Sequence, residues 1–254
     1  MPVKTPHTGC EITISPRAVA RVLTAAILLL TAMHVFVQVA YFGFGHDNLL
    51  GLTALLDMNR ETNVPTWYSV AVFLATAAAL AVIAAARRQA GAPFARHWAV
   101  LAIIFVYLSL DELTRIHEKW GALLQQPLGH LRSAGVMGGV FRNLWVIPAG
   151  LIALVVGLSY LRFLVHLPSR TRALFVASGV AFVTAAVGME MVGASYSAAG
   201  GRYKPGFMVL VTIEETLEMA SIALFLYAVL TYAGTTLRTV LIRIPQGSEN
   251  TDTA

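Results

Sequence analysis

Six long apolar runs constrain this chain more than any other feature. They extend from Ala18 to Tyr41, Thr66 to Ala86, His97 to His117, Asn143 to Leu167, Arg172 to Ser195 and Phe207 to Tyr232. A helix needs about 20 apolar residues to cross roughly 30 Å of hydrocarbon, so each run is long enough to span. Of 254 residues, 57% are hydrophobic and 12% charged, against about 25% charged residues in ordinary soluble domains. That composition excludes a water-soluble domain and intrinsic disorder. It excludes nucleic-acid binding too, because the net charge of +5 comes from Lys and Arg set between apolar runs rather than gathered on a face. The spans must be helices: the bilayer offers backbone groups no water, and the runs lack the alternation of barrel strands. The expected fold class is all-α, a polytopic transmembrane bundle of six helices.

Lys and Arg in the connections set its orientation. One side collects eleven of the 18, namely Lys4, Arg17, Arg21, Arg87, Arg88, Arg96, Arg162, Arg170, Arg172, Arg238 and Arg243. The other seven are spread over longer segments, so both termini are expected to be cytoplasmic. The chain then divides into a cytoplasmic N-terminal segment, residues 1–16, a six-helix domain, 17–234, and a polar cytoplasmic tail, 235–254. An interfacial connector is expected at about 119–142, where leucines alternate with glycines. The single cysteine, Cys10, excludes a disulfide framework or a cysteine-based metal site.

Within this apolar frame the acids stand out, because a charge near the bilayer centre costs from about 2.5 kcal/mol upward. Six of the thirteen acids lie in the expected spans: Asp111 and Glu112 in the third, Glu190 in the fifth, and Glu214, Glu215 and Glu218 in the sixth. At about 1.5 Å per residue, Asp111, Glu190 and Glu214 fall roughly 5–10 Å from the centre on the same outer side, with Glu218 nearer the middle. Reversing the topology moves them together. Tyr107, Asp111, Thr114, Arg115 and Glu118 share one helical face, and Glu214, Glu218 and Ser221 another. On the fifth span Gly179, Ala186, Glu190 and Gly193 form a small-residue face on which helices can approach closely. The first span adds His34, Gln38 and Tyr41.

Arg115 alone is a basic neighbour within a span, so ion pairing cannot neutralise these acids. Either they share protons in a structural hydrogen-bond network, or they bind a cation. A divalent metal is the cofactor the pattern suggests, with Asp111, Glu190, Glu214, Glu218 and His34 as ligands, since carboxylate metal sites are built inside bundles. Glu112 and Glu215 are then candidate general bases, and His117 a proton carrier. The plainer alternatives stay open: His34 as a packing residue, Glu112 and Glu118 facing headgroups, and Tyr41, Tyr107 and Trp120 in an aromatic belt. The Glu-x-x-His pairs of di-iron bundles and the His-Glu-x-x-His of zinc proteases are absent.

The string Leu108-Ser109-Leu110-Asp111-Glu112, followed by His117-Glu118, together with Glu214-Glu215-x-x-Glu218-Met219, resembles a pattern recurring in uncharacterised bacterial multipass inner-membrane proteins. The resemblance covers the third to sixth runs. It implies a six-helix protein of the bacterial inner membrane with these acids as its signature and no established activity. Three functions follow as expectations: a metal-dependent enzyme acting on a lipid-like substrate near the periplasmic leaflet, a proton- or cation-coupled transporter, and a subunit of a membrane complex. The expected partners are membrane lipids and a lipid-like or cationic small molecule.

Overall fold

Ser15 starts the first helix: its hydroxyl accepts the N–H of Ala18 at 3.4 Å, and Pro16 fills the first turn, where a missing N–H costs nothing. α1 then runs Pro16–Phe44 and stops at Gly45, whose φ of 70° lets its N–H turn back to the Tyr41 carbonyl. The computed structural model describes residues 13–133 and 139–237. Among them every regular element is helical: α2 (Leu52–Leu56), α3 (Val64–Gln89), α4 (Ala95–Thr114), α5 (Ile116–Ser133), α6 (Val146–Ser159), α7 (Leu161–His166), α8 (Ser169–Val183), α9 (Glu190–Tyr196) and α10 (Pro205–Thr236). Most of the expected N-terminal segment, the tail beyond 237 and residues 134–138 of the connector lie outside the described residues.

Four helices are long and apolar enough to cross a membrane: α1, α3, α4 and the stretch Ser169–Gly201. Their outward surfaces are apolar, with Leu28 65%, Ile103 67% and Val180 61% exposed, as lipid-facing side chains are. α10, 32 residues long, is instead the central helix. It packs on α1, α3 and α8 and buries Val211, Met219, Ile222, Phe225, Leu226, Ala228 and Val229.

Three expected runs depart from a straight helix. The third ends at Thr114, because Arg115 turns the backbone into the left-handed region (φ 54°, ψ 45°), and His117 belongs to α5. The fourth is only locally distorted at Tyr160 (φ -90°, ψ -3°), whose hydroxyl donates to the His97 carbonyl at 2.9 Å and whose ring sits against His97 and Phe163. Backbone hydrogen bonds run through it, Tyr160 N–H to the Val156 carbonyl at 3.0 Å and Leu164 N–H to the Tyr160 carbonyl at 2.9 Å, so α7 continues α6, itself 14 residues long. The fifth run is helical throughout, but Thr184–Met189 and Ser197–Gly201 are π-helical. Wider turns change the angular phase, so the expected small-residue face does not hold together: Gly193 is buried against Phe207, while Gly179 points to open space.

The aromatic core sits at the arginine-rich end. Trp98, 1% exposed, stacks on Tyr232 at 4.7 Å and meets the edges of Phe163 and Phe175 at 5.0 and 5.8 Å. At the other end, the connection before α3 is closed by Asn63. Its Oδ1 accepts from the N–H and hydroxyl of Thr66, while its Nδ2 donates to the carbonyls of Asp57 and Arg60 at 2.7 and 2.9 Å. Asn63→Ala removes four hydrogen bonds, three of them buried, and is expected to cost about 2 kcal/mol, the upper end for a helix cap. Thermal unfolding in detergent measures it; a melting temperature equal to wild type would show that the cap is redundant.

Candidate acidic site

α10 places Glu214, Glu215 and Glu218 in its N-terminal half, all half-buried. The carboxyl groups of Glu214 and Glu190 lie side by side, within hydrogen-bonding reach of each other. Glu190 also accepts from Nδ2 of Asn143, which fixes the π-distorted helix to the segment preceding α6. π-turns interrupt helices most often at functional sites, and here Thr184–Met189 ends immediately before Glu190.

The remaining acids lie within electrostatic reach of these. Glu215 feels the charges of Glu218, Glu112, Glu214 and Glu61. Glu218 feels those of Glu112, Glu214, Glu190 and Glu61, and Glu112 those of Glu61 and Asp111. Side chains from α4, the fifth helical stretch, α10 and the α2–α3 connection are thus near enough to act on one another electrostatically, without three of them being set to hold one ion among the described residues.

Asp111 does a different job from its neighbours. Its Oδ1 accepts the backbone N–H of His117 at 2.8 Å and its Oδ2 lies 2.8 Å from His117 Nδ1, so one carboxylate clasps the corner between α4 and α5. Trp145 lies over the imidazole with ring centroids 4.4 Å apart. The imidazole is thereby oriented with Nε2 as the atom left to exchange a proton. Arg115, at the apex of the corner, pairs with Glu118 and stands 3.6 Å from Glu61. Among the described residues it is the one Lys or Arg in contact with this group of acids.

His34 is elsewhere. It is fully buried, accepts the Met58 N–H on Nδ1 at 3.0 Å and lies 3.7 Å from Asp57. Asp57 in turn accepts from Gln38 at 2.9 Å and from the Asn59 N–H at 3.1 Å, and pairs with Arg60. This polar knot ties the α2–α3 connection to α1, and none of the acids of the site is among the hydrogen-bond or ion-pair partners of His34. Among the described residues, no three His, Cys, Asp or Glu side chains are arranged to hold a metal ion. The expected ligands Asp111, Glu190, Glu214, Glu218 and His34 thus do not form a ready-made coordination shell.

Two groups outside the spans titrate away from their ordinary values. Burial pulls the His117 pKa down, but the Asp111 hydrogen bond and the charges of Asp111, Glu118 and Glu61 outweigh it and hold it above 6.5. Burial raises Glu61 above 4.5, with Arg115 and His117 opposing and Glu118 and Asp111 reinforcing. Both bind protons more tightly folded than unfolded, so their contribution to stability is full at low pH and is lost as pH rises through the folded values. Melting temperature in detergent is expected to fall from pH 4.5 upward as Glu61 ionises, and again above 6.5 as His117 loses its proton. Asp111→Asn removes the second fall only; identical profiles for the two proteins would refute the clasp.

The sequence reading overlooked Glu61, Asp57, Asn63 and Asn143. Asn63 had a signal, an Asn two residues before a proline at a helix start; the others sit in connections with no pattern to mark them. Comparison with curated proteins and with solved structures returns no match. A family model does match, over residues 20–232, and the chain belongs to that family, described as a domain of unknown function (DUF8692).

Proposed function

We propose that this is a six-span protein of the bacterial inner membrane, with both termini cytoplasmic, whose activity runs through an acidic site in the periplasmic half that takes up positive charge. What carries the reading is the balance of the site. Glu61, Glu112, Glu190, Glu214, Glu215 and Glu218 act on one another electrostatically, and Arg115 touches only Glu61 and Glu118. Carboxyls inside a membrane that lack basic partners mark proton relays and cation paths. The close approach of the Glu190 and Glu214 carboxyls, and the π-turn beside them, favour a proton- or cation-coupled transporter over a structural role. In this scheme His117, oriented by Asp111, passes protons between periplasmic water and Glu112, and Glu215 and Glu218 carry the exchange inward.

The full chain in proteoliposomes, with an imposed pH gradient and a pH-sensitive dye inside, tests this. Proton movement driven by monovalent or organic cations supports it, and no coupled movement for any of them removes it.

A second reading has one observation of its own. An imidazole whose Nδ1 is held by a carboxylate at 2.8 Å has the arrangement that orients histidine ligands of metals. On that reading His117 would be one ligand of a divalent metal acting as a Lewis acid on a lipid-like substrate, with Glu218 recruited on binding, since no three such side chains among the described residues already hold that arrangement. Metal analysis of the purified protein decides it: stoichiometric metal, lost in Glu218→Gln, supports the enzyme, and metal well below stoichiometry in both proteins removes it.

A further inference from the structure

At the end of the bundle remote from the acids, the first turns of α1 and α8 and the last turns of α10 border an open cleft of ≈ 200 Å³ lined by Ser15, Pro16, Arg17, Arg170, Tyr227 and Thr231. Its wall is partly apolar and carries positive charge at its exposed rim. Arg17 and Arg170 both face it, and neither pairs with a carboxylate among the described residues. Arg170 donates to the Tyr227 hydroxyl oxygen at 3.2 Å, which leaves that hydroxyl's own hydrogen to donate. Ser15 accepts from Ala18 and likewise keeps its hydroxyl hydrogen. The N-termini of α1 and α8 lie at the same place, with no acidic residue in either first turn to offset their dipoles. Two guanidinium groups, two hydroxyls and the positive ends of two helices, with no carboxylate among the lining residues, select a phosphate-bearing anion over a cation or a neutral molecule.

Position supplies the rest. The cleft opens at the end of helices that are long and apolar enough to cross a membrane, and the same two helices carry exposed apolar side chains further along, Val22 and Val176. An anion with acyl chains fits that setting, because basic pockets between spans at the cytoplasmic surface bind anionic headgroups. We infer that this cleft is a headgroup site for an anionic phospholipid, its phosphate held between Arg17 and Arg170 and its chains lying along α1 and α8. The inference is independent of what the acidic site does.

The test is native mass spectrometry of the full-length protein in mild detergent, loaded with phosphatidylglycerol or with phosphatidylcholine of the same chains. Wild type is expected to retain phosphatidylglycerol selectively, and Arg17→Gln/Arg170→Gln to lose about 10- to 30-fold of that affinity. Arg88→Gln, an exposed arginine at the same end and outside the cleft, is expected to leave it unchanged. Tyr227→Phe keeps the ring and removes the hydroxyl, so it reads the same site with little disturbance of packing, and a several-fold loss is expected. Equal retention of both lipids, or equal losses in Arg88→Gln and the double variant, overturns the site. Displacement of the lipid by millimolar inorganic phosphate or glycerol phosphate would show that the ligand is a soluble phosphate, and overturns the lipid assignment.

Discussion

Glu215→Gln and Glu218→Gln are expected to stop cation-coupled proton movement while making the protein more stable. Glutamine keeps the size and hydrogen-bonding reach of glutamate but holds no exchangeable charge, so flux should drop to the level of liposomes without protein. Stability should move the other way, because each substitution removes one member of a like-charged set in which Glu61, Glu112 and Glu214 act on both positions. Sites kept at the expense of stability return about 0.5–2 kcal/mol when neutralised. Flux and melting temperature measured on the same preparations separate this from simple damage: a variant that loses flux and stability together would point to a structural role, and one that keeps full flux would end the transport reading.

The largest loss of stability is expected at the other end, from Trp98→Ala. Trp98 is 1% exposed, stacks on Tyr232 at the end of α10 and receives the rings of Phe163 and Phe175 from α7 and α8. Lipid is as apolar as the core, so the solvent contributes little to this packing, and helices in a membrane hold together through close contact instead. Removing the indole leaves a cavity between four helices, and truncations of this kind cost about 3–5 kcal/mol. Thermal unfolding of the detergent-solubilised chain measures it, and a loss under about 1 kcal/mol would mean that the rings collapse into the gap. Trp98→Phe, which keeps a stacking ring, should lose much less.

The helical fold and the positions of α1, α3, α4 and α10 were legible because long apolar runs have few other solutions. Depth along a straight helix depends only on residue count, but depth alone does not gather side chains: Asp111 is spent on His117, and no three of the acids and histidines among the described residues are set to hold an ion. What failed depended on straightness. Arg115 ends α4 with neither Gly nor Pro to announce it, so Glu118 belongs to α5 rather than to the stripe expected to run from Tyr107 through Asp111. The π-turn before Glu190 shifted a face that strict 3.6-residue periodicity had assembled. His34 illustrates a different limit. Its depth was compatible with the acids, but a helix position fixes depth and phase, not partners, and its partners Met58 and Asp57 come from a connection that carries no periodic signal.

Among the described helices α10 comes last in chain order, yet it occupies the centre, packed by α1, α3 and α8 and bearing three of the acids. The helices that precede it in the chain therefore surround a gap that only α10 fills. Until it arrives, the aromatic rings of α4 and α8 have no Phe225 or Tyr232 to rest on, and Glu190 has no Glu214 beside it. Packing of the bundle and the approach of Glu214 to Glu190 are then one event, which waits for α10.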